Sequence, residues 1–319
     1  MTSVLALRAE NLRKSYAGVV AVESLSLEVE AGNVVGFLGP NGAGKTTVIR
    51  MLSTLLAPDS GTFTVAGFPH TRPIEIRRRL GVLPESARYP HGQTGEEWLT
   101  FHARLFGQTR AGARTTAMRL LDEVGLAQRG RARILAYSRG MRQRLGIARA
   151  LVNDPEVVFL DEPTLGLDPA GQLQVLELVT RITREHGVTV VLSTHLLAEV
   201  EQVCAQVLIL NHGRVVADGT VADVTRRAAA PRRAVVQVPA QHLERALGTL
   251  RQLGIDAVSR ADGPRAELEL TLAGEAVPER AGADALSRLL ASGIPVVGFT
   301  LEGGRLSDAF LAVTGAADG

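Results

Sequence analysis

The stretch Gly39-Pro40-Asn41-Gly42-Ala43-Gly44-Lys45-Thr46-Thr47 leaves this chain little freedom in what it can fold into. Gly39 and Gly44 stand at the spacing of a phosphate-binding loop, followed at once by Lys45 and Thr46. The flanks agree. NVVGFL, residues 33–38, is an apolar run bounded by Gly32 and Gly39, and it reads as a short buried strand. Val48, Ile49, Leu52, Leu55 and Leu56 then recur at helical spacing, so the loop opens a helix. N–H groups at a helix start carry partial positive charge, and glycines let the backbone approach a phosphate without a Cβ in the way. Among 35 basic residues, Lys14 and Lys45 are the only lysines. A sequence that otherwise uses arginine keeps a lysine where a slim point charge must reach between phosphates. These features imply a nucleoside triphosphate site.

The remaining pattern builds an α/β chain around that site. Leu5 to Leu12 and Val20 to Val29 alternate apolar and polar, the mark of an antiparallel sheet with one solvated face, and Tyr16 falls between them. From Arg77 to Tyr137 helical spacing dominates, as in WLTFHARLF and AMRLLDEVGL, which predicts a helical insertion over about 86–137. Apolar strands VVFLDEP, VTVVLST and QVLIL follow, the first two separated by a helix from Pro169 to near Glu185; this is the rhythm of a mostly parallel sheet. RRAAAPRRA, residues 226–234, reads as a linker. Beyond it, residues 235–319 show the order β-α-β-β-α-β of a small ferredoxin-like α+β domain. A length of 319 residues accommodates two such domains.

Charge and cysteine usage narrow the partners. A net charge of +2 gives no electrostatic case for nucleic acid. The single Cys204 leaves no intrachain disulfide partner and suits a reducing cytosol. No apolar run reaches the ~20 residues of a membrane span, and MTSVLALRAE, with Arg8 and Glu10, has no secretory pattern. Any membrane role is therefore expected to be exercised through a partner.

Three further places carry chemistry. Asp161 and Glu162 end the apolar strand VVFLDE, and ligands of open α/β sheets sit at the carboxyl ends of strands. Asp161 is then placed to hold Mg²⁺ opposite the Thr46 hydroxyl, and Glu162 to polarise an attacking water. His195 ends VTVVLSTH, a third polar group at the same sheet edge. In YSRGMRQRL, Ser138, Arg139, Gly140 and Met141 open a helix; this is either a plain Ser138 N-cap or a second phosphate site. One chain needs one triphosphate site, so the second reading implies a nucleotide supplied by another copy.

In this order the motifs resemble the ATP-binding subunits of ABC transporters, over about residues 4–225. GPNGAGKTT is similar to the Walker A loop, VVFLDE to the Walker B strand and YSRGM to the signature, with Arg139 where a glycine is commonest. LGLD, ending in Asp168, is similar to the D-loop, His195 to the switch histidine and Tyr16 to the adenine-stacking aromatic. LPESARYP, YSRGMRQRL and RLSDAFLAVTG resemble exporters of the ABC-2 type, among them daunorubicin-resistance and sodium-efflux ATPases. The resemblance implies a P-loop NTPase core with an antiparallel β subdomain over residues 1–225, and ATP and Mg²⁺ as cofactors. It also implies a head-to-tail homodimer in which Ser138 and Gly140 close over the other copy's ATP. The partner it implies is a separate polytopic permease, which would put this chain in the cytoplasm at the inner face of the membrane. Glu85 stands where that family often has a glutamine touching Mg²⁺ and the membrane subunit. The rival is a soluble ABC ATPase acting in translation or DNA repair, but this chain lacks the tandem motifs of the first and the long inserted coiled coil of the second. The domain at 235–319 is expected to be accessory or regulatory.

Overall fold

The computed structural model describes residues 4–227, 232–272, 278–302 and 306–314. The chain divides into two compact units, Met1–Val221 and Ala222–Gly319. In the first, β1 (Leu5–Tyr16) and β2 (Val19–Glu30) form an antiparallel hairpin. β3 (Val34–Leu38), buried throughout, leads through the glycine loop into α1 (Lys45–Leu52). β4 (Ser60–Val65) and the short β5 (Phe68–Pro69) complete a sheet ordered β2-β1-β4-β5. Next come α2 (Pro73–Arg79) and β6 (Leu80–Leu83), then the helices α3 (Gly95–Leu105), α4 (Arg110–Glu123) and α5 (Arg139–Ala150). A capping box starts α3: Thr94 Oγ1 accepts the Glu97 N–H while Glu97 Oε2 accepts the Thr94 N–H. β7 (Val157–Asp161), α6 (Pro169–His186), β8 (Thr189–Thr194), α7 (Leu197–Val203), β9 (Gln206–Asn211) and β10 (Arg214–Thr220) follow, and α8 (Val221–Arg227) begins at the boundary.

The central sheet has the order β10-β9-β3-β8-β7-β6 and is parallel except for the β10 edge. Strands covered on both faces are apolar along most of their length, which is why β3, β7 and β8 read as near-continuous apolar runs with polar residues gathered at strand ends. Their residues alternate between two cores. Val157 and Phe159 pack with Phe37, Met51 and Leu52 beneath the antiparallel sheet, whereas Val158 and Leu160 pack with Leu99, Leu120 and Leu145 of the helical part. The sheet therefore joins the nucleotide-loop side to the helical side, and its carboxyl edge lies between them.

Two expectations need correction, and one strand goes beyond what the sequence pattern shows. Tyr16 is the last residue of β1, not part of a gap, because register shifts near Asn11 and Arg13 let the strand bend and continue. Ahead of the helical insertion expected over about 86–137, β6 pairs in parallel with β7 as the edge of the core sheet. Four residues with a glycine among them carry little strand signal, and that glycine is required: a Cβ on Gly81 would lie 1.9 Å from the Ala150 carbonyl oxygen at the end of α5. Of residues 226–234, Arg226 and Arg227 lie in α8, Arg232 to Ala234 lie in a strand, and 228–231 fall outside the described residues.

The second unit comprises β11 (Arg232–Pro239), α9 (Leu243–Gln252), β12 (Asp256–Asp262), β13 (Arg265–Leu272), α10 (Pro278–Ala291), β14 (Gly298–Glu302) and α11 (Leu306–Thr314). Its sheet, β12-β13-β11-β14, is antiparallel throughout, the arrangement expected of the β-α-β-β-α-β order. Ala234, Val236, Val238, Leu268 and Leu270 face Ala246, Leu250 and Leu289.

Candidate active site

Gly44 makes the loop possible. It caps α1 with a φ of 103°, a left-handed conformation costly for other residues, and a Cβ there would meet the Ala21 carbonyl oxygen at 2.6 Å. At Gly39 a Cβ would lie 2.4 Å from the Leu210 carbonyl oxygen on β9. No side chain caps α1, so its first N–H groups face a cleft of about 450 Å³. Asn41 to Thr47 line that cleft with Ala21, Glu85, Glu162, Leu165 and His195.

Lys45 is 6% exposed, and its Nζ donates to the carbonyls of Gly39 at 2.7 Å and Pro40 at 3.2 Å. The same Nζ lies 3.6 Å from Glu162 Oε1, while Glu162 Oε2 lies 2.9 Å from His195 Nδ1. One carboxylate thus touches a lysine on the loop and a histidine at the end of β8. Glu162 has a φ of 48°, an uncommon conformation for a side-chain-bearing residue that costs about 1–3 kcal/mol. Its N–H is held by both the carbonyl of Ser193, at 3.1 Å, and the Ser193 hydroxyl, at 3.0 Å. Asp161, 3% exposed, accepts from Thr46 Oγ1 at 3.3 Å and from Ser193 Oγ at 2.5 Å, both on Oδ1.

The structure therefore gathers Lys45, Thr46, Glu85, Asp161, Glu162 and His195 at one edge, with Ser193 as a member that sequence reasoning missed. The signal for Ser193 was a hydroxyl residue near the end of an apolar strand, a signal it shares with Thr194. The other candidates lie elsewhere on the chain. Ser138 is the N-cap of α5, its Oγ accepting the Met141 N–H at 3.2 Å. Asp168 is the N-cap of α6, accepting from Gly171 N at 3.3 Å. Arg139 reaches toward the Asp168 segment: a Cβ on Gly166 would lie 2.4 Å from the Arg139 Cζ. Neither Ser138, Arg139, Gly140, Met141 nor Asp168 lines the loop cleft, and neither does Tyr16, which is 44% exposed.

Comparison with known proteins settles the family. A family model described as ABC transporter matches residues 22–165. The Daunorubicin/doxorubicin resistance ATP-binding protein DrrA of Streptomyces peucetius is 39% identical over 97% of this chain and 92% of its own length. The chain belongs to the ABC transporter family. Within it the chain is an ATP-binding ATPase subunit of the exporter group. The Linearmycin resistance ATP-binding protein LnrL of Bacillus subtilis is also similar, at 38% identity over 69% of this chain and 71% of LnrL. A solved structure described as the ATP binding subunit of an ABC transporter shares 32% identity with this ABC ATPase at a TM-score of 0.62, covering 70% of this chain and 92% of that one. The fold alone is shared with the dimeric cassette MJ0796 bound to ADP and Pi, 23% identical at a TM-score of 0.62 over 67% of this chain and 98% of that one. No helix among the described residues of this ABC subunit is long and apolar enough to cross a membrane.

One cluster in the antiparallel sheet is expected to respond to acid. Asp59, from the turn before β4, accepts from Lys14 Nζ at 2.6 Å, Ser15 N at 2.7 Å and Ser15 Oγ at 2.9 Å, fixing the strand just ahead of Tyr16. These bonds, Lys14's first, lower the Asp59 carboxyl from 3.8 to about 2. A depressed folded-state value contributes stability that is complete above the unfolded value and lost as pH falls through the folded one. Stability is therefore expected to decline between pH 3.8 and about 2 less steeply in Asp59→Asn than in the wild type. Urea midpoints measured across that interval check this; identical slopes would remove Asp59 from the acid transition.

Proposed function

We propose that this subunit binds and hydrolyses MgATP at a head-to-tail homodimer interface and drives export through a separate polytopic membrane permease, lying at the cytoplasmic face of the membrane. The observation that carries the proposal is the bridge from Lys45 through Glu162 to His195 within one cleft. In this reading the N–H groups of Gly39 to Thr47 and the Lys45 ammonium hold the phosphates, and Glu162 accepts the proton of the attacking water. His195 fixes the Glu162 carboxylate and faces the terminal phosphate. Catalysis of this kind is mainly positioning and charge stabilisation.

The donor set fits Mg²⁺. Thr46 Oγ1 and the Asp161 carboxylate offer hard oxygens 3.3 Å apart, and no cluster of three or more acidic, histidine or cysteine ligands exists among the described residues. A small cation that keeps waters and phosphate oxygens as its other ligands needs no more protein than this. Bound Mg²⁺ supplies neutralisation of the β- and γ-phosphate charge. Ser138, Arg139, Gly140 and Met141 are assigned to the nucleotide of a second copy, which agrees with their absence from the cleft lining of their own chain. Asp168 is assigned to the seam between copies and Tyr16 to the adenine. The residues at 235–319 act as an accessory or regulatory domain.

Glu85 is the third proposed metal contact. A carboxylate at the cleft repels an anionic γ-phosphate unless a cation lies between them. Glu85→Gln is therefore expected to bind ATP more tightly in EDTA and to gain less from added Mg²⁺ than the wild type. Equal affinity ratios for the two proteins would take Glu85 off the metal.

The permease is assigned to the helical part. Phe101, Leu105 and Phe106 expose 53%, 66% and 48% of their surface on and just beyond α3. Phe101 and Leu105 border a cavity of about 640 Å³ that Glu96, Arg104 and Arg114 rim with charge, an apolar centre with a polar margin. Tagged wild-type chain purified from its native membranes is expected to bring down a polytopic partner, and the Phe101→Ser/Leu105→Ser variant much less of it. Recovery of ribosomes or DNA in place of a membrane protein would favour the translation or repair reading, which the relatives do not support.

A further inference from the structure

Glu199, the third residue of α7, is 4% exposed. Its Oε2 accepts from Thr194 Oγ1 at 2.7 Å, while its Oε1 has no hydrogen-bond partner among the described residues. A buried carboxylate with one oxygen unmet is expensive. Its charge is felt locally, since burial first and Glu199 second push the Cys204 thiol up to about 12. No phosphate-loop contact of the cleft involves Glu199, so its cost is not explained by the nucleotide site as described.

The hydroxyl it holds has a second bond. Thr194 Oγ1 accepts the Leu196 N–H at 3.0 Å, so one hydroxyl ties the residue before His195 to the residue after it. Thr194 is fully buried at the end of β8, and its neighbour Ser193 anchors Asp161 and the Glu162 backbone. His195 hangs between these fixed points with Nδ1 2.9 Å from Glu162 Oε2. Without an acceptor behind it, the Thr194 hydroxyl turns freely and its bond to Leu196 N is no longer directed. We infer that Glu199 is a positioning residue for His195, acting through the Thr194 hydroxyl. This rests on the reading of His195 as the group that fixes Glu162 and faces the terminal phosphate of ATP.

The role belongs to turnover, not to ATP capture, because neither Glu199 nor Thr194 lines the cleft. The test compares kcat, KM for MgATP and melting temperature for Glu199→Leu, Glu199→Gln, Thr194→Val, Thr194→Ser, the double variant Thr194→Val/Glu199→Leu, and His195→Ala. Misplacing a reacting group by about 1 Å costs up to ~10²-fold, and a loosened loop less. Glu199→Leu and Thr194→Val are therefore each expected to lower kcat about tenfold with KM within about twofold. The melting temperature of Glu199→Leu should change little, since removing a buried carboxylate with one oxygen unmet offsets the acceptor lost to the Thr194 hydroxyl. Glu199→Gln and Thr194→Ser keep the acceptor and the donor, and should recover most of the lost turnover. The double variant should be no worse than either single one, as for two residues of one bond. Wild-type turnover in Glu199→Leu beside an inactive His195→Ala overturns the positioning role and leaves the reading of His195 intact. Full turnover in His195→Ala sinks that reading and the inference with it. Loss of kcat and melting temperature together without rescue by Glu199→Gln, or additive losses in the double variant, would show a structural role and overturn the proposal.

Discussion

Lys45→Ala is expected to lose ATP hydrolysis while remaining folded. The Lys45 ammonium is 6% exposed and bonded to the carbonyls of Gly39 and Pro40, with Glu162 Oε1 3.6 Å away. It shapes the loop and also supplies its cation, so its removal acts twice. In the bound complex the β- and γ-phosphates lose a fixed positive charge in a water-poor site, where removing one such donor typically costs about 10²–10³ in kcat. Losing the shape of the loop adds to that, and turnover should drop below detection. The free protein pays a smaller penalty. Two carbonyls and one carboxylate lose a partner at a cleft that water can enter, which costs about 1–3 kcal/mol against about 5–15 kcal/mol for a typical domain. Phosphate release and far-ultraviolet circular dichroism on the same preparation separate the two effects. Near-normal turnover in a folded variant would remove Lys45 from the phosphates.

The parts of this site that were legible in the sequence are those whose chemistry is local. Gly39 to Thr47 announce themselves because loop, lysine and helix start are contiguous. β3, β7 and β8 are equally plain, since burial on both faces keeps their central positions apolar and leaves Asp161, Glu162 and His195 conspicuous at the ends of β7 and β8. What stayed hidden depends on residues far apart in the chain. Asp59 looks like an ordinary turn aspartate until the fold brings Lys14 and Ser15 onto it. Ser193 and Thr194 are two hydroxyls on one strand. Pleating sends one to Asp161 and the other to Glu199, and no sequence pattern distinguishes them. β6 was hidden for a different reason: its strand character comes from pairing with β7 and from α5 resting on Gly81. The contact of Arg139 with Gly166 likewise joins two motifs that are read separately along the chain.

Glu162→Gln is expected to slow hydrolysis by about 10²–10⁴-fold, the usual contribution of a positioned general base, while ATP still binds. The geometry makes this substitution informative. Glutamine has the same shape, and the conformation at this position is set by the backbone, through the φ of 48° and the bonds from Glu162 N to Ser193. One side-chain oxygen can stay near Lys45 and the amide can turn to His195 Nδ1, so the cleft keeps its form. What disappears is the charge and, with it, the ability to take a proton from water. Removing a negative charge beside the phosphates also lowers the repulsion they meet, which favours the bound state. ATP that is held but not cleaved should keep two copies together. Light scattering with MgATP is expected to report a dimer for Glu162→Gln under conditions where the wild type returns to monomer as ATP is consumed. Single-turnover phosphate release on the same samples gives the rate. A variant that binds ATP but stays monomeric would contradict the head-to-tail arrangement and leave the base in place. Conversely, a variant that dimerises and still hydrolyses at the wild-type rate would show that the carboxylate between Lys45 and His195 is not the base, and that water is activated by another group at this sheet edge.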